Sequence, residues 1–136
     1  MDKLPSGLAN VVADEEDLAR FLTSSSLFNA VTVKPAAFLP NRKNGETSVF
    51  RHDGETRESL WQTAEDHLPG VRLHGAVIFK ATHVRAASLD VLAHEPPPRH
   101  ANIVGWPTSQ TDPEMEKAEQ RECAALIAQH AELVRR

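Results

Sequence analysis

The sequence has few of the cysteines that cross-link small secreted domains and none of the long apolar runs that span membranes. It contains one cysteine, Cys123, so an intramolecular disulfide is excluded, and this usage is typical of a reducing compartment. No uninterrupted apolar run approaches the ~18 residues that cross a bilayer. The N-terminus also lacks the charged and apolar pattern of a secretory signal. We therefore expect a cytoplasmic protein without membrane attachment.

Aromatic residues and positive charge are also scarce. With five Phe, two Trp and no Tyr, the core must be formed mainly by Leu, Val, Ile and Ala. The 15 basic and 19 acidic residues give a formal net charge of −4. This balance argues against a non-specific nucleic-acid binder, because such proteins present a basic face to the phosphates. It leaves a local basic site open.

Common functional signatures are missing as well. The chain has no Walker A loop, GxGxxG, paired CxxC, HExxH or GxSxG motif. We therefore expect no cofactor. The length of 136 residues and the 40% apolar composition fit one globular domain over residues 1–136. Residues 1–12 show no clear periodicity and are expected to form an N-terminal arm or a short edge strand.

Hydrophobic periodicity and turn signals predict an α+β fold. The expected helices span residues 14–22, 56–68 and 111–134. The expected strands span residues 29–39, 47–51, 71–81, 87–94 and 101–104. The first two strands would form a hairpin, and the next two would be antiparallel neighbours. The result is a small, mostly antiparallel sheet with about three helices packed on one face.

A first candidate site lies where the 47–51 strand ends, at Arg51, His52 and Asp53. An arginine here could hold a carboxylate or phosphate, and His52 could transfer protons near neutral pH. The alternative is an ordinary polar junction between a strand and a turn. We treat Arg51 as a candidate ligand-binding residue and His52 as a candidate catalytic residue.

A second candidate site follows three prolines. Arg99, His100, Asn102 and Trp106 come within eight positions of one another, on a segment that the prolines stiffen. Rigidly placed side chains of these types suit recognition of a ligand or peptide. Arg99 and Asn102 are candidate ligand-binding residues, His100 a candidate catalytic residue and Trp106 a candidate partner contact. The alternative is a structural crossover whose Trp fills the core.

A metal site is the weakest of the candidates. His74 and His94 are expected on the outer faces of neighbouring strands, with His83 between them. Three imidazoles could approach a zinc ion, but this spacing is not a recognised ligand pattern. We therefore expect no metal.

Three strings stand out in this order: VKPAAFLP from Val33, TSVFR from Thr47 and RHANIVGWP from Arg99. Together they resemble a group of small bacterial proteins associated with mobile or defence-type loci, a group without an established activity. The resemblance covers roughly residues 14–134. It implies a bacterial cytoplasmic protein and directs attention to Lys34, which joins the candidate ligand-binding residues.

Three functions stay open on this basis. The first is a non-enzymatic interaction or accessory module of a bacterial cytoplasmic complex, with a protein partner that contacts Trp106 and the polar first half of the last helix. The second is a small enzyme or binder that acts on a phosphate-bearing ligand, such as a nucleotide or RNA end, through Lys34, Arg51, Arg99 and a histidine. The third is a toxin–antitoxin or immunity component.

Overall fold

A computed structural model describes residues 3–136 and contains one six-stranded sheet with three α-helices. The strands are β1 (Asp17–Leu22), β2 (Thr47–Arg51), β3 (Gly75–Lys80), β4 (Asp90–Ala93), β5 (His100–Val104) and β6 (Glu132–Arg135). The helices are α1 (Arg57–His67), α2 (Ala81–Ala86) and α3 (Pro113–Ala128), with 3₁₀ turns at Ser25–Leu27 and Pro35–Phe38. The expected α+β class is confirmed. Among the described residues, no helix has both the length and the apolarity to cross a membrane.

The strands lie in the order β4-β5-β2-β1-β3-β6, and every neighbouring pair is antiparallel. Two pairs of consecutive strands are neighbours in the sheet: β4 and β5, joined by residues 94–99, and β1 and β2, joined by the longer segment 23–46. Each of the other connections crosses over at least one strand. Helix α1 connects β2 to β3, and α3 carries the chain from β5 to the opposite edge at β6. The middle of the sheet therefore combines β1, β2 and β3, which come from distant parts of the sequence.

The helices divide between the two faces of the sheet, rather than sharing one face as expected. A larger core lies on one face, where Leu18 and Leu22 of β1 pack with residues of α2, α3 and the Pro35–Phe38 turn. A smaller core lies on the other face, where Ala19 and Phe21 pack with Leu60 and Ala64 of α1. Alternate residues of β1 thus enter opposite cores, as strand geometry requires.

This double burial explains why the helix expected over residues 14–22 is wrong. A central strand covered on both faces reads as a nearly continuous apolar run. In β1 that run places Leu18, Phe21 and Leu22 at helical spacing. The acidic residues before it do not occupy a helix N-terminus. Glu16 is buried instead, and its carboxylate accepts from the Ala13 backbone at 2.7 Å.

The hairpin expected from residues 29–39 is also wrong. The Asn29 side chain accepts from the backbone of Val31 and Thr32 and closes a turn, and the chain then forms the Pro35–Phe38 turn. Strand β2 is present as expected but pairs with β1 and β5. The alternation of Val31 and Val33 predicted a strand, but Asn29 and Pro35 favour turns at this place.

Two further strand expectations are partly corrected. Strands β3 and β4 lie within 71–81 and 87–94, but α2 separates them and β4 pairs with β5 at the far edge. The last helix begins at Pro113, after the N-cap residue Asp112, whose side chain accepts from the Met115 backbone, and it ends at Ala128. The expected helical stretch beyond it includes β6, which lies so close to β3 that a Cβ on Gly75 would sit 2.5 Å from the Val134 carbonyl oxygen.

The N-terminal arm folds back on itself and packs against the proline-rich turn. Lys3 and Ala9 form an antiparallel bridge, and the Ser6 hydroxyl donates to the Glu95 carboxylate at 2.6 Å. Residues 1–2 of the expected arm lie outside the described residues. The arm continues into Val12, which is buried in the larger core, so part of this segment belongs to the folded domain.

A buried ion pair ties this arm to the sheet. Arg51 is 2% exposed, and its guanidinium donates to both carboxylate oxygens of Glu16 at 2.8 Å. A third bond reaches the Ala9 carbonyl at 2.7 Å. Arg51 was a candidate ligand-binding residue, but its side chain is committed to the fold.

Replacing Glu16 by Gln should destabilise the protein by about 3–5 kcal/mol, because it leaves the Arg51 charge buried without a partner. The free energy of unfolding in urea measures this. Arg57→Gln is the control, since Arg57 and Glu132 are 3.9 Å apart and both are 69% exposed. That change should cost no more than about 0.5 kcal/mol. Equal effects of the two substitutions would contradict a structural role for the buried pair.

Candidate functional site

A serine and a histidine meet on the sheet face that carries the smaller core. Strands β2 and β5 pair so that Ser48 lies opposite Asn102 and Phe50 opposite His100. These four residues share one face because side chains alternate along a strand. The Ser48 Oγ and His100 Nε2 atoms are 2.6 Å apart. Ser48 is exposed, whereas the His100 ring is 8% exposed.

The other nitrogen of His100 fixes how the ring is protonated. His100 Nδ1 lies 2.9 Å from the backbone carbonyl oxygen of His94. A carbonyl oxygen can only accept, so this contact is a hydrogen bond in the tautomer that carries its proton on Nδ1. In that tautomer the His94 Nδ1 atom, 3.2 Å from the same nitrogen, is a second neighbour that can accept. Nε2 then has a free lone pair and accepts from the Ser48 hydroxyl. This is the tautomer that a general base for Ser48 requires.

The surroundings keep His100 neutral near pH 7. Burial is the largest influence and lowers the pKa of His100 below its ordinary value of 6.5. The Phe50 ring packs edge-on at 5.3 Å, and the His94 ring lies at 5.2 Å. His67 of α1 stacks on the other side of the cluster against Phe50, with ring centroids 5.1 Å apart. A proton on His100 would therefore meet apolar and imidazole neighbours.

Arg20 lies next to this pair, in a gap in the sheet. The β1–β2 ladder contains only the pairs Leu18–Arg51 and Ala19–Phe50. Beyond it, the Arg20 guanidinium bridges the diverging strands. Its Nη1 donates to the Ser48 backbone carbonyl at 2.8 Å, and its Nε donates to the Ala37 carbonyl at 3.0 Å. Arg20 is thereby held at a fixed position relative to Ser48.

An open cleft of about 230 Å³ is lined by Ser48 and Arg20. One wall is apolar and is formed by Phe21, Phe50 and Leu68. The polar atoms come from Arg20, Thr23 and Ser48. A small organic group bound here would contact a hydroxyl already hydrogen-bonded to a base, together with a cationic side chain.

Among the described residues that line this cleft, none was a candidate from the sequence. His100 and Asn102 lie on the adjacent strand β5, where Asn102 is directly cross-strand from Ser48. Arg99 precedes them at a φ of 68° but turns away. Its guanidinium contacts the Arg51 and Asp53 carbonyls and pairs with Glu55 at 3.1 Å.

Lys34 and His52 lie away from the Ser48 cleft. Lys34 is exposed where the chain enters the Pro35–Phe38 turn, and that turn packs in the larger core. His52 follows β2, where its backbone donates to the Asp17 carbonyl at 2.8 Å. Burial lowers the pKa of His52, and the nearby Asp17 and Glu55 partly offset that effect. Arg51, His52 and Arg99 do line one cavity, but its volume is only about 10 Å³ and both guanidinium groups are paired with carboxylates. Lys34 is not part of its lining, so the expected cluster is formed only in part.

Trp106 belongs to the core. Its side chain packs in the larger core and is 6% exposed, which matches the structural alternative considered for this segment. Its indole N–H has no hydrogen-bond partner among residues 3–136. We therefore assign Trp106 to packing rather than to a partner surface.

The histidines proposed as metal ligands lie in three different environments. His74 packs near Phe28, His83 stacks on His130 with centroids 4.1 Å apart, and His94 accompanies His100. No set of three or more His, Cys, Asp or Glu side chains in the described part of the chain is arranged to hold a metal ion.

Sequence reasoning missed Ser48 and Arg20. Ser48 sits in an alternating strand pattern without a flanking motif, and Arg20 falls inside a segment interpreted as a helix. The pairing of β2 with β5 brings Ser48 to His100 across 52 positions, and no local sequence signal encodes that contact.

Comparison with family models, curated proteins and solved structures finds no match to this chain. The functional argument therefore depends on the geometry of the site.

Replacing Trp106 by Ala should destabilise the protein by about 3–5 kcal/mol, the usual cost of truncating a buried aromatic side chain. Trp106→Phe should cost less, because it also removes an unpaired N–H. Urea unfolding measures both. Val31→Ala is the control, since Val31 is 79% exposed and should change stability by no more than about 0.5 kcal/mol. If Trp106→Ala is as mild as the control, the ring is not a core residue.

Acidification should destabilise the fold. Burial lowers the pKa values of His52, His83 and His100 from their ordinary 6.5. Between the lowered pKa values and 6.5, the unfolded chain binds more protons, so stability is complete above 6.5 and is lost as the pH falls. The urea midpoint should therefore decrease between about pH 7.5 and about pH 5.5. In NMR spectra His100 should titrate below 6.5 and show the Nδ1–H tautomer. A titration midpoint of His100 at or above pH 6.5 would contradict a lowered pKa for this residue.

Proposed function

We propose that this protein is a small enzyme that cleaves esters, with Ser48 as the nucleophile and His100 as its general base. The observation that carries the proposal is the 2.6 Å contact between Ser48 Oγ and His100 Nε2, with His100 oriented by the His94 carbonyl. A nucleophile, a base within hydrogen-bond reach and a third group that orients the base are the parts that covalent catalysis requires.

The chemical step follows from this geometry. Ser48 Oγ attacks the ester carbonyl carbon while its proton moves to His100 Nε2, and the new O–C bond gives a tetrahedral oxyanion. The bond to the leaving oxygen then breaks, and that oxygen takes the proton from His100. A water molecule then attacks the acyl carbon while its proton moves to His100. The bond to Ser48 Oγ breaks, Oγ takes that proton, and the carboxylic acid is released. Asn102, across from Ser48, supplies an amide donor on the same face for the oxyanion.

This proposal reassigns the basic residues of the expected phosphate site. Arg51 and Arg99 are paired with Glu16 and Glu55, so neither has a free guanidinium to offer. Arg20 borders the cleft instead. The combination of an arginine and a histidine is retained, but a different arginine provides the charge.

The interaction-module hypothesis stays a prediction. Of its two expected contact surfaces, Trp106 and the first half of α3, only the second is exposed. Trp106 is buried, whereas the first half of α3 is exposed, with Met115 54% exposed. A place in a bacterial cytoplasmic complex, a defence-related role and a toxin–antitoxin role also stay predictions, since they depend on partners rather than on the Ser48 site.

A fluorophosphonate probe tests the nucleophile. Ser48 should attack its phosphorus and displace fluoride, giving one covalent adduct that intact-mass and peptide mass spectrometry place on Ser48. Ser48→Ala should abolish the adduct, and His100→Gln should slow its formation by about 10²-fold or more, the typical contribution of a general base. The labelling rate of the native protein should also fall at acidic pH, with a midpoint below the ordinary 6.5 of histidine.

Ser25→Ala is the matched control, because Ser25 is exposed like Ser48 and lies in a turn rather than beside a base. This variant should label as fast as the native protein. Labelling spread over several serines, or a Ser48 rate no higher than that of the urea-unfolded chain, would overturn the proposed nucleophile.

A further inference from the structure

Several arginines are held by more than one hydrogen bond, and Arg20 differs from the others in having no carboxylate partner among residues 3–136. Arg51 pairs with Glu16, Arg85 with Asp14 and Asp90, and Arg99 with Glu55. Within residues 3–136, Arg20 forms no ion pair, and its two hydrogen bonds go to backbone carbonyls. Its positive charge is therefore not offset by a carboxylate of the described chain.

The guanidinium of Arg20 still has donors to offer. A guanidinium carries five N–H groups, and Arg20 uses one on Nε and one on Nη1. Three remain on Nη1 and Nη2, and these atoms form the fork that matches two oxygens of a carboxylate or phosphate. Burial also lowers the pKa of Arg20, so its surroundings disfavour the charge and an anion would relieve that cost.

The cleft at Arg20 supplies the rest of a small binding site. Its volume of about 230 Å³ is below the ~300–1,000 Å³ of sites for drug-sized ligands, so it suits a compact group. The rings of Phe21 and Phe50 and the side chain of Leu68 line it, and the Thr23 hydroxyl is at its exposed rim. An anion on one side and a short apolar body on the other would fill this shape.

We infer that this cleft selects esters that carry an oxyanionic group, a phosphate or a carboxylate, and that Arg20 binds that group beside Ser48. The inference rests on the proposed ester-cleaving function and names its substrate class. Because Arg20 donates to the Ser48 carbonyl at 2.8 Å, the anion site and the nucleophile are fixed to the same strand. Binding of the anion would thus position the ester carbonyl against Ser48 Oγ.

The test compares two variants with the same change in charge. Thr23→Glu places a carboxylate at the rim of the cleft, whereas Thr111→Glu places one before α3, on another part of the surface; both threonines are exposed. The substrates are p-nitrophenyl acetate, which is neutral, and mono-p-nitrophenyl succinate, which carries a carboxylate. Thr23→Glu should lower kcat/KM for the succinate ester, through KM, by about 10-fold or more beyond any loss that it causes for the acetate ester. Thr111→Glu should change neither.

Arg20→Gln provides the second arm, read by binding as well as by turnover. Inorganic phosphate and acetate are titrated separately into the ¹⁵N-labelled protein, and amide shifts at Thr23 and Ser48 report occupancy. Stronger binding of phosphate identifies a phosphate site, and stronger binding of acetate identifies a carboxylate site. Arg20→Gln should weaken the binding by about 10-fold or more. If it fails to fold, Thr23→Glu gives the same readout.

The outcomes separate this inference from the proposed function. Anion binding that depends on Arg20, without fluorophosphonate labelling of Ser48, would keep the anion site and reject the enzyme. Labelling of Ser48 with equal losses for both esters in Thr23→Glu and Arg20→Gln would keep the nucleophile and reject selection by charge. Anion shifts that are unchanged in both variants would also overturn the inference.

Discussion

The ion pair between Glu16 and Arg51 is the contact on which the centre of this sheet depends. Glu16 comes immediately before β1 and Arg51 ends β2, so the pair fixes these two strands relative to each other at the start of their short ladder. Arg51 also donates to Ala9 and brings in the N-terminal arm. Through its backbone it is bonded to Arg99 just before β5. One guanidinium therefore organises segments that lie 42 and 35 positions away.

The register that follows places the Ser48 site. With Arg51 fixed, β2 pairs with β5 so that Ser48 faces Asn102, and the diagonal neighbour is His100. A slip of one residue would carry Ser48 to the other face and separate it from the base. The same geometry ends the β1–β2 ladder after Ala19, which opens the gap that Arg20 occupies. The stability of the centre and the assembly of the candidate site are thus consequences of one set of contacts.

The sequence predicts the parts of this fold that carry local signals. Helices α1 and α3 have capping side chains at Thr56 and Asp112, and strands β2 to β5 show alternation bounded by turns, so all could be found. Strand β1 could not, because burial on both faces gives it the apolar spacing of a helix. Strand β6 follows α3 without a Gly or Pro stop. Pairing across the sheet is a long-range property that a single sequence does not display.

The same distinction applies to the site. His100 and Asn102 could be proposed from the sequence because they lie on a stiff segment rich in functional residue types. Arg51 and Arg99 have the same residue chemistry, yet carboxylates of the chain itself occupy both. Residue type shows that a side chain is able to bind an anion, but its partners decide whether it is available. No sequence motif surrounds Arg20. Only the structure shows that its charge is unpaired within residues 3–136.

The neutral partner of His100 limits how strongly the proposed base would be assisted. The His94 carbonyl orients the ring but brings no negative charge, whereas a carboxylate in that place would stabilise the imidazolium formed during attack. Glu46 raises the pKa of His100, yet this is the smallest of the influences on it, and burial outweighs it. In the proposed mechanism, the proton transfer is therefore assisted less than in a triad with an acid. The proposal then requires more of the rate enhancement to come from Asn102 as oxyanion donor and from a fixed substrate position, which is the contribution that we propose for a charged Arg20 beside Ser48.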